Sequence, residues 1–367
     1  MRRILDFIKE KSYFFLGGTV VLLIVIIAIG SCTGPKTVSY ESLENSMVSA
    51  AKKYYGENKK NLPKEGVTIK VSIDTLIEEG YLDKIVDPKD SSNECSGYVE
   101  VTNEEGEYSY LPFLTCKGNY ELSYLSDVVK KTKTDEYGNG LYEIDDEYVF
   151  RGDDVKNYVQ FADKLWRIVK IDSEGDIKLV LAKRTDDTYA WDNTYNDEKK
   201  YTSGNTANYL MTTIRKTLND YYENNFSKEQ KTQIVSKDLC IGKLAITDEF
   251  NKEKECSVIQ ENEKIGLLTA YDYKIGSLDE KCIYLNNKEC ENYNYLATSN
   301  IVTWLLTSTN QNTYKVFFIN KTLGETAASN PKRITPVIHI TKKALMIKGT
   351  GTEDSPYIVK WLFNYWQ

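Results

Sequence analysis

The chain has 367 residues, a net charge of −7 and a pI near 5.2. No run of Lys and Arg alternates with aromatics, so composition excludes a nucleic-acid groove as its organising feature. The length suits two domains beyond an N-terminal segment, and 28 Tyr against 11 Phe suits β-rich surfaces that need apolar bulk with a polar tip.

Residues 12–35 carry no charge, and Tyr13 to Gly30 is a near-continuous apolar run. At ~1.5 Å per helical residue it crosses most of a ~30 Å hydrocarbon layer. Arg2, Arg3, Lys9 and Lys11 precede it, so the positive-inside bias predicts a cytoplasmic segment at 1–11 and a membrane helix at 12–31. A linker at 32–38 follows, and all later residues are expected to be extracytoplasmic. Ile29-Gly30-Ser31-Cys32 resembles a bacterial lipoprotein signal, which implies cleavage before Cys32 and a lipid on its sulfur. The alternative is an uncleaved single-pass anchor, which the length of the apolar core favours. Either way the partner of this end is the membrane.

Six further cysteines, Cys95, Cys116, Cys240, Cys256, Cys282 and Cys290, fall on the oxidising side and suit three disulfides. Closeness in sequence favours Cys95 with Cys116, Cys240 with Cys256, and Cys282 with Cys290. The only histidine is His339 and no C-x-x-C pair occurs, which argues against zinc.

From Tyr40, the residues Leu43, Met47, Ala50, Ala51 and Tyr54 recur at helical spacing, with Glu41, Glu44, Lys52 and Lys53 off that face and Gly56 as a stop. A strand at Val67–Val71, a short helix capped by Ser72 and closed by Gly80, and a hairpin around Asn103-Glu-Glu-Gly106 follow. This order, with Asp87-Pro88, Cys95 and Gly97-Tyr98, resembles the head of type IV pilin-like and pseudopilin-like proteins over residues 39–118. The resemblance implies a helix packed on a small antiparallel sheet, stapled by Cys95 and Cys116. The chain departs from that family in lacking a Gly-Phe processing site with a glutamate five residues into the apolar helix. We therefore expect a stalk here, with a pilus or secretion-apparatus subunit as an alternative. Residues 119–145 are polar with little apolar period and are expected to form a linker.

The second domain, 146–367, is expected to contain strands at Tyr148–Phe150 and Tyr158–Phe161 and a hairpin of Leu165–Ile171 with Ile177–Ala182. A helix is expected over Thr206–Tyr222 with Leu210, Ile214, Leu218 and Tyr221 on one stripe, then a capping box at Ser227 and Gln230. Late strands are expected at Val302–Leu306, Val316–Ile319 and Ile334–Ile340, and at Ile358-Val359. Leu165-Trp166-Arg167-Ile168, Ile214-Arg215, Thr303-Trp304-Leu305-Leu306 and Arg333 to Ile338 together resemble a bacterial surface domain of unknown function. That domain is similar to the formylglycine-generating-enzyme and C-type-lectin-like group. The resemblance implies an irregular α+β fold whose loops present a binding surface. The expected fold class is thus α+β: a membrane or lipoprotein-signal helix, a pilin-like helix-on-sheet domain and a larger lectin-like domain.

Function is expected to be binding or adhesion at the cell envelope, with glycan or another envelope protein as partner and without catalysis. An enzyme needs an assembled acid, base or nucleophile, and His339 reads as a packed strand residue. Asp186 to Asp197 interleaves oxygen ligands with Tyr189, Trp191 and Tyr195, which suits calcium or a sugar ring. Asp187, Trp191, Asp192 and Asn193, together with Trp304, are the expected binding residues. The enzymatic alternative, an oxidase of the formylglycine-generating type, requires a free thiol at Cys282 or Cys290.

Overall fold

The computed structural model describes residues 38–279, 281–282, 293–297, 302–320 and 322–360. The apolar segment at 12–31, Cys32 and Cys290 lie outside the described residues. No helix among the described residues is long and apolar enough to cross a membrane. The described chain is a mixed α+β fold in which sheet predominates.

Helix α1 (Tyr40–Glu57) starts at Ser39, whose hydroxyl accepts from Ser42 N while Ser42 Oγ accepts from Ser39 N. This reciprocal cap satisfies two donors that the first turn leaves open. The helix buries Met47, Val48, Ala50, Ala51 and Tyr55. Glu44, expected on the solvent face, is fully buried, because Tyr120 and Lys360 both donate to its carboxylate. Strand β1 (Thr68–Ser72) leads into α2 (Ile73–Glu78), capped by Ser72. Strands β2 (Ser96–Glu104) and β3 (Glu107–Cys116) form the expected hairpin. Its two turn residues, Glu105 and Gly106, both take φ > 0 (53° and 85°), as a two-residue hairpin turn of the right twist requires. With β4 (Tyr120–Glu121) these strands make a sheet of order β1-β2-β3-β4. Its apolar face and α1 enclose one core, stapled by the Cys95–Cys116 disulfide.

The stretch expected as a linker is structured. After β4 come β5 (Ser123–Tyr124), α3 (Leu125–Lys130) and β6 (Gly140–Ile144). Its few apolar residues are spent efficiently: Leu122, Leu125, Val129 and Leu141 are all buried, which a count of apolar residues per window does not show.

The remaining chain supplies β7 (Glu147–Arg151), β8 (Tyr158–Phe161), β9 (Lys164–Ile171) and β10 (Ile177–Leu181). Then follow α4 (Thr213–Asn225), α5 (Lys228–Thr232), β11 (Ile234–Val235), β12 (Lys237–Cys240), β13 (Ile259–Glu263) and α6 (Ala270–Ile275). Last are β14 (Thr303–Ser308), β15 (Lys315–Asn320), β16 (Thr322–Ala327), β17 (Val337–Ile340), β18 (Leu345–Met346) and β19 (Tyr357–Lys360). The main sheet runs β11-β17-β10-β9-β8-β19-β18-β5, with β7 and β6 added beside β9. Trp166, Ile168, Leu179 and Ile338 face one core, and Val169, Val180 and Val337 face another. Helix α4 begins at Thr213 rather than Thr206, because Thr212 caps it after a short 3-10 turn. Its buried stripe is Ile214, Leu218 and Tyr222, while Leu210 is half exposed. The capping box at Ser227 and Gln230 forms as expected.

The Cys240–Cys256 disulfide is closed, and Cys282 is also disulfide-bonded; its expected partner, Cys290, lies outside the described residues.

Candidate functional site

The loop after β10 was the sequence's richest polar stretch, and the structure divides it. Up to Tyr189 it lies over the main sheet, held by reciprocal backbone bonds between Tyr189 and Lys332 (2.7 and 3.0 Å) and by Thr185 N to Ile334 O (3.0 Å). Beyond Tyr189 it turns inward. Trp191 is buried and donates its indole N–H to Leu305 O (3.1 Å), and Trp304 is buried and donates to Tyr189 O (2.8 Å). Both rings are core, so neither offers the face that ring stacking on a sugar needs, and the expected binding role of Trp191 and Trp304 is corrected to packing.

Asp192 is likewise buried and committed. Its carboxylate accepts from Thr194 Oγ1 (2.5 Å), Asn205 N (2.6 Å), and Thr213 N and Oγ1 (3.2 and 3.3 Å). It therefore ties two loops to the start of α4. Asn193, exposed, accepts from Thr213 Oγ1 (3.0 Å) in the same tie. Residues 186–197 bring no group of three carboxylate, thiolate or imidazole ligands together. The acidic triple that does form among the described residues is Asp172, Glu174 and Asp176 in the β9–β10 turn. Lys237 Nζ stands among all three, at 2.9, 2.5 and 2.7 Å. Burial would lower this lysine's pKa, but the three carboxylates outweigh it and hold the ammonium form. The position a cation would take is filled by the protein's own.

Of the five expected residues Asp187 and Asn193 are exposed, and Asp187 reaches an open cleft. It lies at the rim of a cleft of about 810 Å³ between the ends of β8, β9 and β10, the loop 182–189 and the last turns of α4. Three partly buried tyrosines line it: Tyr158 from β8, Tyr189 from the loop and Tyr221 from α4. Burial, and then the neighbouring Tyr189, push the Tyr221 phenol up to about 12. Burial, and then the hydrogen-bonded Asp187 carboxylate, raise that of Tyr189 as well. Both phenols are therefore neutral hydroxyls at physiological pH. Lys164, Lys183 and Arg184 contribute positive charge to the rim, and Asp186, Asp187 and Glu353 negative. Tyr158, at the mouth, is also braced from behind by the Arg167 guanidinium, 4.3 Å from its ring centre.

A second cavity, of about 460 Å³, lies beside the Cys240–Cys256 disulfide and is lined by two buried carboxylates, Glu255 and Asp272. Glu255 accepts from Thr307 Oγ1 (2.5 Å), Ala270 N (3.0 Å) and Tyr271 N (3.2 Å). Its pKa is nevertheless pushed up to about 7, chiefly by burial and further by Asp272. Burial would raise Asp272 too, but Lys178, 2.6 Å away, and Lys170 hold it below the usual carboxylate range. His339, opposite Lys178 across the β10–β17 pair, is kept neutral first by burial and then by the same two lysines. Two carboxylates with pKa values driven apart is the pattern of an acid–base pair. Here, however, both also cap α6: Asp272 accepts from Thr269 N (2.9 Å) and Glu255 accepts from the next two amides. The network satisfies the helix start.

The sequence pointed to the loop, and Asp187 and Tyr189 of it line the cleft. Tyr158 and Tyr221 carried no signal, since each is an ordinary aromatic in a strand or helix until the fold places the two beside Tyr189. Comparison with protein-family models, curated proteins and solved structures finds no match to this chain.

Proposed function

We propose that this chain is a membrane-tethered, extracytoplasmic protein of a bacterial envelope, with a pilin-like stalk at 39–118 and a lectin-like binding unit beyond it. The ligand is a glycan taken at the Tyr158–Tyr189–Tyr221 cleft. The observation that carries this reading is the cleft itself: three partly buried phenol rings, from a strand, a helix and a pinned loop, with charges of both signs at the rim. Aromatic faces cover the apolar side of a sugar ring, and paired donors and acceptors at the rim suit its hydroxyls, without the single-sign field a charged polymer demands. Closed disulfides at Cys95–Cys116 and Cys240–Cys256 support an oxidising compartment.

The oxidase alternative needs a free thiol at Cys282 or Cys290, and Cys282 is disulfide-bonded, which counts against it. The subunit alternative rests on the apolar segment and is addressed by whether detergent extracts contain assemblies or monomers. The binding reading is tested on a glycan array with the detergent-solubilised full chain and its Tyr221→Ala and Tyr158→Ala variants. Saturable binding to one glycan class, weakened about fivefold or more by either substitution, is expected, since each stacked ring is worth on the order of 1 kcal/mol or more. No glycan bound, or binding indifferent to both tyrosines, overturns it.

A further inference from the structure

The polypeptide enters and leaves the described fold at one corner. Tyr40, the first residue of α1, stacks on Tyr120 with the ring centres 4.2 Å apart. Lys360, the last residue of β19, comes to the same tyrosine: its Nζ lies 3.1 Å from Tyr120 Oη and also donates to Glu44 of α1. The chain that follows Lys360 therefore starts beside the chain that precedes α1, and the preceding chain is the one that carries the apolar run Tyr13 to Gly30. At this corner Val38 is 56% exposed. Trp361-Leu-Phe-Asn-Tyr-Trp366 follows Lys360 and lies outside the described residues. It sets four aromatic rings and one leucine in six positions, without a charge.

Left in water, such a run is a contiguous apolar patch of the kind that marks an interaction site. Indole and phenol rings are apolar with one polar edge, which suits the layer between lipid headgroups and acyl chains, where Trp and Tyr concentrate. The nine residues from Ser31 to Ser39 hold the corner within roughly 35 Å of the end of the apolar run, and closer where they coil, while the six from Trp361 reach roughly 20 Å. Short of a fully drawn-out connection, the aromatic run meets the lipid surface. We propose that residues 361–366 insert into the headgroup layer of the membrane that holds the apolar segment, so that the folded body touches lipid at two points. This rests on the membrane-tethered reading above and adds a second contact to it. Lys360, pinned by Glu44 and Tyr120, fixes where that contact departs from the fold.

The chain has five tryptophans, and Trp166, Trp191 and Trp304 are buried in the fold, so Trp361 and Trp366 are the ones left to report on lipid. The test places the detergent-solubilised full chain in phosphatidylcholine nanodiscs whose acyl chains are brominated either near the headgroup or near the chain end, since bromine quenches indole emission at near contact. Co-elution with the discs reports the tether by itself. Emission is expected to fall in discs brominated near the headgroup and to fall less in discs brominated near the chain end. It falls in neither for Trp361→Phe combined with Trp366→Phe, which keeps the apolar bulk and removes both reporters. If that double variant fails to fold, the two single variants decide, each losing part of the quenchable emission. Co-elution without quenching leaves the tether standing and overturns the second contact. Quenching undiminished in the Phe variants, or strongest from the chain ends, overturns it as well. A chain that never enters the discs overturns the membrane reading and this inference with it.

Discussion

Glu255 shows how a single side chain can set the stability profile of a fold. Its folded pKa near 7 lies above its ordinary value of 4.5, so the native state holds the proton more tightly than the unfolded chain does. Stability from this group is therefore full below about pH 4.5 and is lost as pH rises through about 7, by on the order of 3 kcal/mol. His339 works in the opposite sense: its folded pKa is depressed, so stability is lost as pH falls below its ordinary 6.5. The two overlap between about pH 4.5 and 6.5, and the wild-type profile alone does not separate them. Glu255→Gln does. Relative to wild type the variant gains stability between pH 5 and pH 8, by about 1–3 kcal/mol in urea titrations, and parallel profiles for the two proteins would contradict the assignment. None of this was legible in the sequence, where Glu255 is one acid in Lys252-Glu-Lys-Glu-Cys256 and its burial depends on Thr307 and α6. The misreading of Trp191 and Trp304 has the same origin. Aromatics among acids suit a sugar site and a loop that dives into a core equally well, and the deciding bonds, to Leu305 and Tyr189, come from 114 and 115 residues away.

At the scale of elements the sequence was far more informative, because caps and tight turns are made by neighbours. The starts of α1 and α2, the capping box of α5 and both predicted hairpins follow from residues within a few positions of one another. Helix α4 was placed too early for a local reason of the same kind. Thr212 accepts from Arg215 N and Asn208 from Leu210 N, so two caps in succession break what the apolar spacing reads as one helix. Gly97 marks where an element meets its neighbour. It sits in β2 at φ +154°, and a Cβ there would lie 2.0 Å from Phe113 O in the paired strand β3 and 3.2 Å from Ile73 Cδ1. Both are fixed by the ladder and the core, so the strand itself must move. Gly97→Ala is expected to cost about 2 kcal/mol or more, read as a lowered midpoint in chemical denaturation. A loss below about 0.5 kcal/mol, ordinary for a surface substitution, would show that β2 and β3 separate freely here.

The largest correction concerns how the parts are joined. A polar stretch without period reads as a flexible tether, yet β5 extends the main sheet through β18, and Leu345 of β18 is buried in the core beneath α1. The contact that closes this arrangement pairs Lys360, at the end of β19, with Glu44 of α1, 316 residues apart, with Tyr120 donating to the same carboxylate at 2.6 Å. Glu44 is fully buried and Lys360 is 17% exposed, so this is a buried ion pair, for which removal of one partner is far more damaging than removal of both. Lys360→Met strands a carboxylate out of water and should cost about 3–5 kcal/mol. Because the lost contact lies between the two cores rather than within either, the damage falls on their coupling. Calorimetry of the full chain is expected to change from a single unfolding transition to two, with the lower one belonging to the α1 unit. Glu44→Leu combined with Lys360→Met should recover most of the loss, giving a coupling energy well above the few tenths expected of independent sites. A single substitution no worse than the double, or one transition throughout, would mean that the joined β5–β18 strands hold the two cores together without the ion pair.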